Sequence, residues 1–282
     1  MTIKITSDST CDLSKDLLEK YQIDIVPLSV TLGERSGLDG VNITPEDIYS
    51  FVEETKTLPH TSAVSIGEYE TVFKKWRDLG YEVIHFNISE HFSASYQNAC
   101  HAAEEVGGVS VVDSANLSTG QALMVLTAAE MAQQGAGVDE IVRCCEALAP
   151  RIEASFVVDS TDYLVKGGRG SKLTGFSASL LKIKPCIEVI GGSMTPGKKY
   201  HGKLSKVIHN YAEDRLKDRT DIDSSRIFIT HTKVDDSVVE DVKDAVRRLV
   251  PDVREILETT AGATITTHCG PGTLGILFIR KE

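Results

Sequence analysis

The sequence predicts an α/β fold built as two domains, and three observations carry that expectation. Short apolar runs of strand length alternate with helical stripes from residue 3 to residue 150. That alternation of strands with helices implies a first domain with a mostly parallel sheet covered on both faces. The length, 282 residues, lies at the lower end for two domains, and the break at Ala149-Pro150 divides it into 1–150 and 151–282.

Taken in order, Ile3-Lys4-Ile5-Thr6 alternates as a strand and runs into the polar loop Ser7-Asp8-Ser9-Thr10-Cys11-Asp12. Strand ends of this kind hold sites in α/β folds, and the same residues also suit the capping of a helix starting near Leu13. Residues 23–32 read as one extended segment. Thr44 as N-cap with Pro45 at the first helical position starts a helix striped by Ile48, Phe51 and Val52. Ser65 with Glu68 makes a capping box for a helix bearing Tyr69, Val72, Phe73 and Trp76. Residues 82–87 form the next strand, Ser93 caps a helix with the face Tyr96, Ala99, Cys100 and Ala103, and 109–113 is a further strand.

Residues 117–134 read as a helix that is apolar nearly all round, and Val138, Ile141, Val142, Cys145 and Leu148 stripe another. Beyond the break come a strand at 152–158, a glycine-rich turn at 166–170, and a strand at 186–190 that ends in a hairpin turn at Gly191-Gly192. A helix follows through Leu204, Val207, Ile208 and Tyr211, then a strand at 226–230 and a helix through Val238, Val239, Val242, Val246 and Leu249. Strands at 253–257 and 274–279 complete a second α/β unit.

Net charge is −11, with 41% hydrophobic and 25% charged residues. These are the proportions of a soluble globular protein. The acidic balance argues against a nucleic-acid partner, which needs a basic face. No run reaches the roughly 20 apolar residues of a membrane helix, and Met1-Thr2-Ile3-Lys4-Ile5 lacks a signal peptide's apolar core, so a cytoplasmic protein without an integral membrane segment is expected. Cys11, Cys100, Cys144, Cys145, Cys186 and Cys269 show neither Cys-x-x-Cys nor zinc spacing, which suits buried reduced thiols and no metal.

Two glycine motifs fail on their surroundings. Gly192-x-x-x-x-Gly197-Lys198 resembles a phosphate loop but continues with Lys199 where magnesium binding needs Ser or Thr. Gly270-x-Gly272-x-x-Gly275 spells a dinucleotide fingerprint but is followed by the apolar strand Ile276-Leu277-Phe278-Ile279, not by a helix. The stretch holding it, residues 266–275, sets His268 between two threonine hydroxyls and a glycine-rich turn. It is either a corner with chemistry or a tight turn around a satisfied core histidine.

The candidates left are Thr61, Ser62, Ser93 and His268, placed in loops beside helix starts and strand ends, with no carboxylate suited to acid or base work among them. Hydroxyls, helix N-terminal N–H groups and one imidazole suit the binding of an anion such as a carboxylate. They do not suit catalysis, so no catalytic residue and no cofactor is expected. Each hydroxyl taken singly also reads as a helix cap.

These residues stand within a wider succession: Ser7-Asp8-Ser9-Thr10-Cys11-Asp12-Leu13, Thr61-Ser62, residues 93–99, Val112-Asp113-Ser114, Tyr163-Leu164-x-Lys166-Gly167-Gly168-Arg169, Lys184-Pro185 and residues 267–273. In order and spacing it resembles the DegV family of bacterial fatty-acid-binding proteins over essentially the whole chain. Ala63-Val64 and Ala94-Ser95 depart from that family's usual pattern. The resemblance implies two α/β domains clasping one fatty acid between them, its carboxylate beside Thr61, Ser62, Ser93 and His268 and its tail in an apolar tunnel. Some members are the lipid-carrying subunit of a fatty acid kinase, which implies a separate ATP-binding kinase subunit that phosphorylates the acid to an acyl phosphate.

The reading that follows is a long-chain fatty acid carrier that is no enzyme by itself. Its rivals are a free-standing phosphoryl- or acyl-transfer enzyme with His268 as base, and a lipid sensor or transport module without a kinase. Arg169 is expected in an exposed turn, grouped with Lys166 and Lys172, with Lys198, Lys199 and Lys203 as a second basic group on a loop. Arg169 would then contact a partner or the transferred phosphate.

Overall fold

The computed structural model describes residues 2–170 and 183–281. Its first part runs β1 (Ile3–Asp8), α1 (Lys15–Tyr21), β2 (Asp24–Val26), β3 (Ser29–Leu32), β4 (Arg35–Leu38), α2 (Pro45–Thr55) and β5 (His60–Ser62). It continues with α3 (Ile66–Asp78), β6 (Glu82–Asn87), α4 (Ser95–Val106), β7 (Val109–Asp113), α5 (Ser118–Gln133) and α6 (Val138–Leu148). The remainder is β8 (Ile152–Val157), α7 (Asp162–Lys166), β9 (Ile183–Ile190), β10 (Ser193–His201) and α8 (Leu204–Leu216). It closes with β11 (Ile222–His231), α9 (Asp236–Leu249), β12 (Glu255–Thr260), α10 (Ala263–Cys269) and β13 (Leu274–Arg280).

The protein is α/β, as its strand and helix alternation requires. One sheet is parallel, in the order β2-β1-β6-β7. The larger sheet is mixed, in the order β10-β9-β8-β13-β11-β12, with only β11 and β12 parallel. Its β9–β10 hairpin turns at Gly191 and Gly192, whose φ values of 54° and 74° are those a two-residue turn of the tight kind demands. The caps at Thr44 and Ser65 form as their spacing predicts, each with a reciprocal bond to Asp47 or Glu68.

A small antiparallel sheet, β4-β3-β5, is a departure from expectation. The extended stretch 23–32 is not continuous: Pro27 has no N–H to continue the parallel ladder, so β2 ends at Val26 and the chain re-enters a different sheet at Ser29. There β3 pairs with the short β5 in the register Val30↔Thr61 and Ser29↔Ser62. This pairing fixes the backbone of Thr61.

Helix α5 is buried along most of its length and touches β1, β6, β8, β11 and β13. A helix apolar all round belongs between two layers, and its Leu123 and Leu126 share one apolar cluster with Phe86 of the parallel sheet and with Phe156 and Leu277 of the mixed sheet. The polar Gln121 of α5 is paired: its Nε2 donates to Ser7 Oγ at 2.9 Å and to Asp8 Oδ1 at 3.1 Å. Among the described residues no helix is long and apolar enough to cross a membrane.

Candidate functional site

The site is built around α10. Its sequence, Ala-Thr-Ile-Thr-Thr-His-Cys, is rich in β-branched residues and poor in helix formers. It is helical because its N-terminal N–H groups are met by two carboxylates from far away in the chain. Asp39 Oδ1 accepts from Ala263 N at 2.8 Å and its Oδ2 from Thr264 N at 3.2 Å. Asp12 Oδ1 accepts from Gly262 N at 2.8 Å while its Oδ2 takes the Ser118 hydroxyl at 2.5 Å, tying α10 to the start of α5. Negative groups at a helix N-terminus are favoured by the unpaired N–H groups and the dipole.

The polar loop after β1 is therefore not the cap of the next helix. That task falls to Ser14, which accepts from Leu17 N. Asp12 adopts a left-handed φ of 52° that aspartate tolerates, and so turns its carboxylate back toward Gly262. Ser9 Oγ donates to Asp39 Oδ2 at 3.0 Å. Asp8 takes Ile88 N at 2.8 Å and the Thr10 hydroxyl at 2.5 Å. Burial pushes the carboxyl of Asp12 well above its usual range, with Asp39's charge adding to the rise and the bonds from Ser118 and Gly262 opposing it.

His268 sits in the last turn of α10 rather than in the loop its neighbours suggested. The hydroxyls beside it are spent on nearby backbone carbonyls, Thr266 on Ala261 O at 3.2 Å and Thr267 on Ala263 O at 2.8 Å. The ring faces β5 instead, with Nε2 2.8 Å from Thr61 Oγ1 across 207 residues of sequence. Its Nδ1 is buried without a hydrogen-bonding partner and faces Gly167, where a Cβ would lie only 2.6 Å away. A glycine is needed there for the ring to fit. Burial first, and the charge of Arg169 second, push the imidazole down to about 4, so it is neutral at pH 7.

Ser93 lies just before α4. Its Oγ accepts from Ser95 N at 3.2 Å and is 2.9 Å from Ser95 Oγ, which in turn accepts from Val64 N at 3.4 Å. Ser95, fully buried, thus links Ser93 to the segment after Thr61 and Ser62. Arg169 is not in an exposed turn. It is partly buried, with Nε donating to Phe92 O at 3.3 Å and Nη1 to Gly167 O at 3.0 Å.

Of the lysines grouped with it, Lys166 is exposed at the end of α7, and the second basic group does not lie on one loop. Lys198 and Lys199 lie on β10, about 13 to 17 Å along the strand from Met194. Lys198 pairs with Asp214 at 2.5 Å. Lys203 is exposed at the start of α8. Lys172 lies outside the described residues.

Thr61, Ser62, Ser93, Arg169 and His268 all line one cavity of about 40 Å³. Leu28, Ile88, Phe92 and Met194 give it an apolar wall. Leu117, Ile265 and Cys269 line both this cavity and a second one of about 20 Å³. Both are far below the roughly 300 Å³ of an ordinary small-molecule pocket, so a ligand with a long apolar part enters only by displacing these side chains. The polar mouth offers hydroxyls, a neutral imidazole and a guanidinium, which together can hold an anion. No group of three or more His, Cys, Asp or Glu placed to hold a metal ion occurs among the described residues.

Asp12, Asp39 and Ser95 are the residues that sequence reasoning missed. Only the polar richness of the loop after β1 hinted at the first of them.

Comparison with known proteins sets this geometry in context. A family model described as an uncharacterised protein of the DegV family matches residues 2–281. A fatty acid-binding protein of Thermotoga maritima is 34% identical, over 98% of this chain and 96% of that protein. Among solved structures, a fatty-acid-binding DegV family protein of Thermus thermophilus superposes with a TM-score of 0.87 at 28% identity, covering 99% of this chain and 100% of that one. A stearic acid-binding protein of Eubacterium ventriosum gives 0.81 at 29% identity, covering 100% and 99%.

Proposed function

This chain belongs to the DegV family, and from that premise we propose that it binds one long-chain fatty acid and presents the carboxylate to a separate kinase subunit. The observation that carries the reading is the convergence of Thr61, Ser62, Ser93, Arg169 and His268 on one cavity with an apolar continuation behind it. The carboxylate is received by the hydroxyls of Thr61, Ser62 and Ser93 and by the His268 ring, and Arg169 supplies the compensating charge that a partly buried anion needs. The tail runs inward past Leu117, Ile265 and Cys269, between the domains 1–150 and 151–282.

Held mainly by neutral donors, the acid stays reactive toward a phosphoryl donor. An ATP-binding kinase subunit in the cytoplasm would then convert it to an acyl phosphate, and Arg169 at the mouth would steady the transferred phosphate or the partner. The chain itself supplies no catalytic group in this scheme.

Competition between palmitate and hexadecanol tests the head-group assignment. The wild type should prefer the acid, and Thr61→Val or Ser93→Ala should narrow that preference by about 1 to 3 kcal/mol per lost donor. Equal binding of acid and alcohol by the wild type rules out carboxylate recognition here. Acyl phosphate formed from the loaded protein, a cognate kinase subunit and ATP tests the second half of the proposal. Its absence leaves a carrier without that partner.

A further inference from the structure

A hydroxyl has one proton to give and two lone pairs to receive with. Behind Ser93 this limit fixes the direction of a row of hydrogen bonds that begins at a buried carboxylate. Asp8 is fully buried, and its Oδ2 accepts from Ile88 N at 2.8 Å and from Asn87 Nδ2 at 3.2 Å. The Asn87 amide has its nitrogen toward Asp8, because the reverse orientation would set Oδ1 against an oxygen that already takes Ile88 N. The other N–H of that amide points at Tyr69, whose hydroxyl oxygen lies 2.7 Å from Nδ2.

Tyr69 is fully buried as well. Its oxygen accepts from Asn87, so its own proton goes to its other partner, the side chain of Ser95. Ser95 Oγ receives that proton and Val64 N at 3.4 Å, which leaves its own proton for Ser93 Oγ at 2.9 Å. Ser93 Oγ takes it together with Ser95 N at 3.2 Å. Both lone pairs of Ser93 are then occupied, and its proton is left for the head-group cavity, which Ser93 lines. The reverse direction would drive the Ser95 proton onto Tyr69 and leave the phenolic proton buried without an acceptor.

We infer that Tyr69 and Ser95 are positioning residues that make Ser93 a dedicated donor into the cavity, and so favour a head group that only accepts, a carboxylate, over one that carries its own proton, an alcohol. The inference rests on the fatty-acid reading above and deepens the specificity of the same site.

Delipidated full-length protein is titrated at pH 8 with palmitate and with hexadecanol, as wild type, Tyr69→Phe and the double variant Tyr69→Phe with Ser95→Ala. Without the phenol, Ser93 can turn its proton back to Ser95. Tyr69→Phe should therefore lower palmitate affinity by about two- to tenfold, the worth of one hydrogen bond, and leave hexadecanol affinity unchanged. Removing the Ser95 hydroxyl as well takes away the competing acceptor and should restore the acid preference. The carboxyl carbon resonance of bound, isotope-labelled palmitate gives a second readout: a lost donor to the charged form raises the pKa of the bound acid in Tyr69→Phe. A merely structural Tyr69 would weaken acid and alcohol alike. That result, an unchanged ratio in Tyr69→Phe, or a double variant no better than the single one overturns the inference. If Tyr69→Phe does not fold, fluorotyrosine at position 69 keeps the ring and makes its hydroxyl a stronger donor, so the pKa of the bound acid should fall; no change there overturns the inference. A wild type that binds neither ligand, or both equally, overturns instead the head-group reading on which it rests.

Discussion

His268 enters the site as a neutral ring whose protonation is suppressed to about 4 by burial and by Arg169. A carboxylate placed beside it favours the imidazolium and raises its pKa by about 1 to 3 units. Fatty acid binding should therefore be proton-neutral at pH 8 and take up a growing fraction of a proton as pH falls from about 7 to 5. Calorimetry in buffers of different ionisation enthalpy measures this, and His268→Gln should remove the part that exceeds the acid's own titration. No difference between the two proteins would place the carboxylate away from the ring.

His85 makes a separate prediction, about stability. It is fully buried, 2.8 Å from Thr6 Oγ1 by its Nδ1, and burial pushes it down to about 3 from the usual 6.5. Its folded pKa is depressed, so the unfolded chain binds the proton first and stability is lost as pH falls below 6.5 toward 3. Asp8 and Asp12 oppose this, since their raised carboxyls are protonated earlier in the folded state. Comparing His85→Phe with wild type isolates the histidine: the wild type should lose up to about 1.4 kcal/mol more per pH unit in urea unfolding below pH 6.5. Parallel pH profiles would contradict the buried neutral assignment.

Among the elements, α10 joins the head-group residues to both cavities. It carries His268 at one end, Ile265 and Cys269 facing both cavities, and the Asp12–Asp39 clamp at the other end. Asp39→Ala leaves Ala263 N and Thr264 N without their acceptor and should destabilise the protein by about 1 to 3 kcal/mol. It should also raise hydrogen exchange across residues 263–269 and weaken fatty acid retention. Unchanged exchange in that helix would show that its order does not depend on the clamp.

The same helix shows where sequence reading stops. Thr44, Ser65 and Gly191-Gly192 act through neighbours a few residues away, so their caps and turn are legible locally. The run Thr264-Ile265-Thr266-Thr267 favours extended structure on propensity alone, and only partners more than 200 residues distant make it helical. Strand β5 is hidden for a related reason: three residues are too short to show alternation. Of the site, Thr61, Ser62, Ser93 and His268 are legible as hydroxyls and an imidazole beside helix starts and strand ends, and the family resemblance adds the carboxylate they would hold, while Ser95 and Asp39 carry no local signal that separates them from ordinary caps.

On the scale of the molecule, the site exists only where distant parts of the chain meet. Helix α5 lies between the parallel and mixed sheets and shares an apolar cluster with both. Thr61 and His268 are brought to 2.8 Å from opposite ends of the sequence. The narrowness of the cavities, about 40 and 20 Å³, means that an acyl chain must separate packed side chains to enter and to leave. Burial of each methylene stabilises the complex by roughly 0.8 kcal/mol, so a chain once seated should be retained through purification. The most direct measurement is solvent extraction of the freshly purified protein and mass spectrometry of the extract. About one fatty acid per chain, of about 14 to 18 carbons, is expected. An extract without stoichiometric lipid, from a protein that also takes up neither oleate nor palmitate, would contradict it.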